Sequence, residues 1–262
     1  MSEHNKQEYV VYKGKRFHLC HELLDISDLK INDLSEIQGL ESFFQLKGLF
    51  LNYNEISEIK GLENLENLER LFLCWNKITE IKGLEKLTNL KELNLNCNNI
   101  TEIKGLKQLV NLQKLNLSNN KISELKGLET LCNLKHLILY GNNISEIKGL
   151  ENLKNLEKLK LGNAHYKLGN NITEIKGLET LIKLKFLHLS HNFITEIKGL
   201  DSLTNLKYLD LSCNEISEIE GLDKLFKLEW LDLNYNRITD KSGIESLKSL
   251  KHLYLDKEFT KV

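Results

Sequence analysis

The stretch Leu90-Lys-Glu-Leu93-Asn-Leu95-Asn-Cys-Asn98-Asn-Ile100-Thr-Glu-Ile103-Lys-Gly105-Leu106-Lys-Gln-Leu109 carries two hydrophobic periods in succession. Leu93 and Leu95 alternate with period 2, the pattern of a short strand with one face buried. Ile100, Ile103, Leu106 and Leu109, followed by Leu112, recur every third residue. That is the period of a 3₁₀-like turn, tighter than an α-helix. The stretch therefore predicts a strand followed by a tight return. Neither half can bury its apolar edge alone, so units of this kind must stack.

The same pattern extends in both directions. It opens at Leu46, Leu68, Leu90, Leu112, Leu134, Leu156, Leu184, Leu206, Leu228 and Leu250, with a spacing of 22 broken once by 28. Nine complete units fill residues 46–249. A degenerate unit precedes them from about Leu24 and a partial one follows from Leu250, which gives about eleven coils. The chain has 15 glycines and no proline, where a chain of 262 residues would average roughly 13 prolines. Ten of the glycines share one slot, from Gly39 to Gly243, and predict positive φ or close approach between coils. A second slot holds Asn54, Asn76, Asn98, Asn120, Asn142, Asn170, Asn192, Asn214 and Asn236. An amide has two donors and an acceptor, so a stack of them suits the backbone groups where the chain turns off each strand.

The motif L-x-x-L-x-L-x-x-N-x-I, continued by I-x-x-I-x-G-L-x-x-L, resembles the leucine-rich repeat of the 22-residue class. That class occurs in the regulatory subunit of protein phosphatase 1 and in bacterial internalins. The resemblance covers about residues 24–256. It implies an α/β repeat solenoid: a right-handed horseshoe with a parallel concave sheet and 3₁₀-like convex returns. It also implies a protein-interaction scaffold, with phosphatase regulation as one specialisation. No partner-contacting residue is carried over, because strand-face residues vary between members.

Composition narrows the function. The net charge is −1, from 36 Lys+Arg against 37 Asp+Glu. This argues against a nucleic-acid partner, which needs a basic footprint. Only three of the 36 cations are arginine, the better reader of phosphates and bases. No apolar run is long enough to cross a membrane. Ser or Thr precedes an acid in all nine full units, and Lys follows two residues later in seven, from Lys60 to Lys198. These read as a solvated Glu/Lys ladder in which each exposed pair contributes about 0–1 kcal/mol.

Residues 1–23 lack the repeat and are expected to cap the first coil, with a hairpin turning at Lys13-Gly14. The solenoid would then run from 24 to 262. Beyond Leu255 the tail is charged, so either charges blunt the last strand edge or another chain pairs with it. The six-residue excess of the sixth unit lies within Gly162–Asn170, at the rim of the sheet. It reads equally as a functional loop or as a tolerated insertion. Five cysteines, Cys20, Cys74, Cys97, Cys132 and Cys213, fit no common slot. With no apolar leader at the start, they favour a reducing cytoplasm. No zinc spacing, phosphate loop or hydrolase motif is present, and no cofactor is expected.

Fixed slots build the fold, so specificity falls to the variable ones. Strand positions 2, 4 and 6 after the opening leucine face away from the core, and position 7 lies at the rim. Those 40 positions hold ten of the 19 aromatic residues, where even scatter would place about three. The ten are Phe50, Tyr53, Phe72, Trp75, Tyr140, Phe186, Tyr208, Trp230, Tyr235 and Tyr254. One group is Phe50, Tyr53, Phe72 and Trp75. Another is Phe186, Tyr208 and Trp230, beside a row of His188, Asp210, Asp232 and Tyr254. Between them lie the polar Asn94, Asn96, Asn116, Ser118, Lys158 and Lys160. An aromatic anchor flanked by acid suits a partner protein with a Lys/Arg-containing surface. The enzyme alternative is a divalent metal on His188, Asp210 and Asp232, or a nucleophile from Cys213 beside His191.

Overall fold

The computed structural model describes residues 9–163 and 165–256. Residues 1–8 of the expected cap and the charged tail 257–262 lie outside the described residues. The chain is a parallel-sheet solenoid. Each coil supplies one three-residue strand at positions 2 to 4 after its opening leucine. After a hairpin of β1 (Tyr9–Tyr12) and β2 (Lys15–His18), the strands are β3 (Leu23–Asp25), β4 (Gly48–Phe50), β5 (Arg70–Phe72), β6 (Glu92–Asn94) and β7 (Lys114–Asn116). They continue with β8 (His136–Ile138), β9 (Lys158–Lys160), β10 (Phe186–His188), β11 (Tyr208–Asp210), β12 (Trp230–Asp232) and β13 (His252–Tyr254). From β3 to β13 they form one 11-stranded sheet in strict chain order. Every pair is parallel and in register, as Leu93 with Leu115 and Asn94 with Asn116.

The returns follow the three-residue period. In the coil opening at Leu90, Leu109 N–H donates to Leu106 O at 2.9 Å and Leu112 N–H to Leu109 O at 3.0 Å. Two successive i→i+3 turns thus bring each apolar side chain to the same side. Continuous 3₁₀ helix occurs only in the first coil, at Leu34–Glu36 and Leu40–Ser42, and the described residues contain no α-helix. Leucines and isoleucines of strand and return meet in one core running the length of the stack.

The asparagine slot joins neighbouring coils. Asn98 Oδ1 accepts from Ile78 N–H at 2.9 Å. Its Nδ2 donates to Leu73 O of the preceding coil at 2.9 Å and to Leu95 O of its own at 3.1 Å. Eight of the nine amides are buried, and Asn236 is half-buried. The six-residue excess leaves this link intact. Asn170 stands nine residues beyond Leu161 instead of three, yet still donates to Leu161 O at 2.8 Å and to Leu139 O at 3.0 Å. The extra residues close as a small bridge between Asn163 and Leu168. Tyr166 at its tip is exposed.

The N-terminal hairpin turns at Lys13-Gly14, with Tyr12 paired to Lys15 and both turn residues at positive φ. This two-residue turn matches the twist of the strands. Val10 and Tyr12 enter the core. The Glu/Lys ladder forms within coils, as Lys82–Glu80 at 3.5 Å, Lys176–Glu174 at 3.2 Å, and Lys104 with Glu102. A second ladder runs between coils along the sheet edge. There Glu69 meets Lys47 at 3.7 Å and Lys91 at 2.8 Å, and Glu229 meets Lys207 at 3.2 Å and Lys251 at 2.6 Å.

The glycine slot has two separable demands. Gly61 and Gly105 both have positive φ, +79° and +73°. A Cβ on Gly61 would meet nothing, whereas one on Gly105 would collide with the carbonyl oxygen of Ile81 in the preceding coil. Gly61→Ala should therefore cost about 1–2 kcal/mol of backbone strain. Gly105→Ala should cost roughly 1–3 kcal/mol more, from overpacking. Urea unfolding of the two variants measures the difference. Asn98→Ala strands three buried backbone groups and should cost about 3 kcal/mol or more in the same assay.

Candidate functional site

The aromatic side chains of the sheet face fall into two groups, as their slots require. In-register parallel strands set equivalent side chains about 4.8 Å apart, within stacking reach. Phe50 and Phe72 stack at 5.0 Å with planes 16° apart. Tyr53 and Trp75 stack at the rim at 5.9 Å and 12°. In the second group, Tyr208 and Trp230 lie at 3.9 Å and 8°. Phe186 meets Tyr208 at 6.1 Å, and Tyr254 meets Trp230 at 5.2 Å. Lys158 Nζ stands 5.0 Å over the Phe186 ring. Tyr140 and Tyr235 join neither group through a ring contact. Tyr235 is exposed at the rim, where its N–H donates to Asp256 Oδ2 at 2.6 Å.

The rim residues share a backbone feature that the sequence pattern does not announce. Tyr53, Trp75, Cys97, Asn119, His191, Cys213 and Tyr235, all at position 7, have φ between 53° and 58°. Bulky residues are uncommon in this region. The left-handed residue turns the chain off the strand and holds Tyr53, Trp75 and Tyr235 outward, more than half exposed.

The row beside the second group is His188, Asp210, Asp232 and Tyr254, in register on β10 to β13. Asp210 is buried, at 3% exposure. Its Oδ1 accepts from Ser212 Oγ at 2.7 Å and from Ser212 N–H at 3.1 Å, and its Oδ2 lies 3.7 Å from His188 Nδ1. Burial pushes the Asp210 carboxyl up, but the contact with His188 and the two bonds from Ser212 outweigh it and hold the group below its ordinary value. Burial also lowers His188, which lies against the Tyr208 ring at 4.5 Å. Asp232 is different. Burial first, and then the like charges of Asp210 and Asp256, push it up to about 6, against one bond accepted from Asn234 N–H at 2.9 Å. Asp210 therefore shapes the site from beneath, and Asp232 is the acid that faces outward.

This geometry does not favour the enzyme alternative. The metal reading needs three converging ligands. The row instead runs along successive strands, Asp210 is spent on Ser212, and no group of three candidate ligands gathers among the described residues. The nucleophile reading needs a depressed thiol pKa. Burial, followed by Asp210, Asp232 and Asp256, pushes Cys213 up. Hollows of 690 and 700 Å³ open on the returns, between the coils around Lys104, Lys126 and Lys148, away from this row. Among the described residues no helix is long and apolar enough to cross a membrane.

Stacked in-register coils with a variable outward face define a repeat solenoid. The Leucine Rich repeats (2 copies) model matches residues 67–108, 88–130, 110–143, 132–180 and 182–224, and a Leucine Rich repeat model matches 224–245. The chain belongs to the leucine-rich repeat family. Among solved structures it is similar to an internalin, InlF of Listeria monocytogenes, at 33% identity and TM-score 0.80, over 89% of this chain and 66% of that one. It is also similar to the functional domain of InlJ from Listeria monocytogenes, at 25% identity and TM-score 0.65, over 90% of this chain and 53% of that one. A TLR13–ssRNA13 complex matches at 25% identity and TM-score 0.68, over 82% of this chain and 37% of the TLR13 chain. The chain thus spans less than two thirds of the length of these relatives. No curated protein matches it.

Besides the edge ladder, the sequence pattern did not reveal a second asparagine row. Asn67, Asn89, Asn111, Asn133, Asn155 and Asn205 each donate to a carbonyl of the preceding coil, at 2.8–3.0 Å. Their place immediately before the opening leucine is the signal that marks them.

The raised pKa of Asp232 has a consequence for stability. Its folded value of about 6 lies above the unfolded value, so its contribution is fully present below about pH 4 and is lost as pH rises through 6. Asp232→Asn keeps the acceptor for Asn234 and removes the charge. It should match the parent at pH 4 and be more stable at pH 7.5 by roughly 1–2 kcal/mol, discounted for partial exposure. Chemical denaturation at the two pH values checks the crossover.

Proposed function

We propose that the chain is a non-enzymatic scaffold that binds a partner protein on its concave sheet face. The row Phe186, Tyr208 and Trp230 is the anchor. One observation carries this reading: the tightly stacked Tyr208–Trp230 pair, flanked by Asp232, an acid with no cation paired to it among the described residues. Interfaces place aromatic side chains at their centre and take most of their binding energy from a few of them. An outward acid beside that anchor suits a Lys/Arg-containing partner surface. Phe50, Phe72, Tyr53 and Trp75 form a second contact area on the same face.

The TLR13 structure is a complex with single-stranded RNA. For this chain a protein is the better ligand, because Asp232 and Asp256 would repel phosphates and the net charge is −1. Phosphatase regulation would be one use of such a scaffold, and no residue here favours it over another. A cytoplasmic setting goes with the proposal, supported by five free cysteines.

The double variant Tyr208→Ala with Trp230→Ala should abolish capture of the partner from lysate while leaving the cooperative unfolding transition in place. Trp75→Ala should weaken capture less. Capture unchanged in the double variant, measured by quantitative mass spectrometry of the bound fraction, would refute this placement of the interface.

A further inference from the structure

Charges on this molecule come in two kinds. Many at the sheet edge and on the returns are exposed and paired, as Glu69 with Lys47 and Lys91, and Glu229 with Lys207 and Lys251. On the floor around the aromatic row Asp210 lies against His188 and Ser212, and three other charges lack an ion partner among the described residues. Among the described residues Lys158 and Lys160 have no carboxylate within ion-pair distance, and Asp232 has no cation. All three are half-buried. Partly desolvated charges without partners are unfavourable in the free protein and gain when a ligand supplies the opposite charge.

Their placement is ordered. Lys158 and Lys160 lie on β9, and Asp232 lies on β12 in the same row as Lys160. Three strand steps separate them, about 14 Å. Between Lys160 and Asp232 in that row stand His188 and the buried Asp210, and the neighbouring row runs from Lys158 through Phe186 and Tyr208 to Trp230. An extended chain advances about 3.3 Å per residue and repeats its face every second residue. Four residues of extended chain therefore span the gap, with residues i, i+2 and i+4 all facing the sheet.

Resting on the scaffold reading, we infer that the partner segment is dipolar. It lies across the strands with an acidic side chain over Lys158 and Lys160, an apolar side chain on Phe186 and Tyr208, and Lys or Arg at Asp232. The pattern is acid-x-apolar-x-base, in either chain direction. The register of the segment is fixed by the seat of the apolar residue, and the neighbouring acid Asp210 does not compete with Asp232 because it is buried and held by Ser212 and His188.

Selection of a phage-displayed random dodecapeptide library on the immobilised full chain tests this. Enriched peptides should carry an acid and a base four residues apart around an apolar residue. The pattern should fall about tenfold or more in frequency on Asp232→Asn and on Lys160→Gln, the loss of one charged contact. Lys158→Gln replaces Lys160→Gln if circular dichroism shows the latter misfolded. Peptides of one charge sign, enrichment insensitive to these neutral variants, or no enrichment above a Trp230→Ala control would each overturn the inference. The scaffold reading fails separately, through partner capture that survives the loss of Tyr208 and Trp230.

Discussion

The asparagine amide between coils is the interaction on which the rest depends. A parallel stack of short strands leaves backbone groups unmet wherever the chain turns away from the sheet. Buried, each such group costs about 1–3 kcal/mol if left unpaired. The side chain at Asn98 reaches one N–H and two carbonyls across two coils at once. No apolar residue of similar size can do this, and a carboxylate has no donor. Once the amide and the leucines are in place, spacing along the stack is set by hydrogen bonds and in-register pairing. The outward slots are then free to vary without harming the fold. The six-residue excess shows the priority. The chain around His165 and Tyr166 departs from the pattern, yet Asn170 returns to the amide position and its bonds.

The fold was legible because its determinants are local and repeated. Leu93 and Leu95 name a strand face, and the run from Ile100 to Leu112 names a turn period, nine times over. The N-terminal hairpin was legible for the same reason, since Lys13-Gly14 is a turn signal with alternating residues on either side. The site was legible only in part. Slot position shows that Tyr208 and Trp230 must be neighbours, and they stack at 3.9 Å. It does not show how deep a side chain lies. Asp210 and Asp232 occupy the same slot of adjacent coils, but two residues later one has Ser212 and the other Asn234. The serine hydroxyl folds back onto Asp210 and buries it. The asparagine leaves only its N–H for Asp232. Tyr140 and Tyr235 look equivalent to the other aromatics by count, but the same slot of the adjoining coils holds Ser118 and Gly162 beside Tyr140 and Cys213 before Tyr235, so neither meets a ring, whereas Tyr53 and Trp75 do.

The edge ladder and the second asparagine row escaped notice for a different reason. They occupy positions where the repeat tolerates several residue types, so Gln113 and Lys135 interrupt the alternation of Lys47, Glu69 and Lys91. Such rows emerge only when cross-coil neighbours are known. Each exposed pair contributes little alone. Along this edge three acids, Glu69, Glu157 and Glu229, are each paired with a lysine of a neighbouring coil, which offsets part of the positive charge of the row.

The floor differs from this exposed, partly paired edge. Lys158, Lys160 and Asp232 are few, but among the described residues none of them has an ion-pair partner, and the stacked rings beside them limit their contact with water. A lower local dielectric strengthens whatever charge a ligand brings. The same environment lifts Asp232 to about 6, where an exposed carboxylate would stay well below that value. Partial burial therefore acts in two directions. It weakens the free fold slightly at neutral pH, and it makes the acid responsive to an approaching cation. A leucine-rich solenoid with 70 core residues among those described can bear that local cost. The stability needed to hold an unfavourable charge in place comes from the repeated slots, and selectivity comes from the few positions the repeat leaves open.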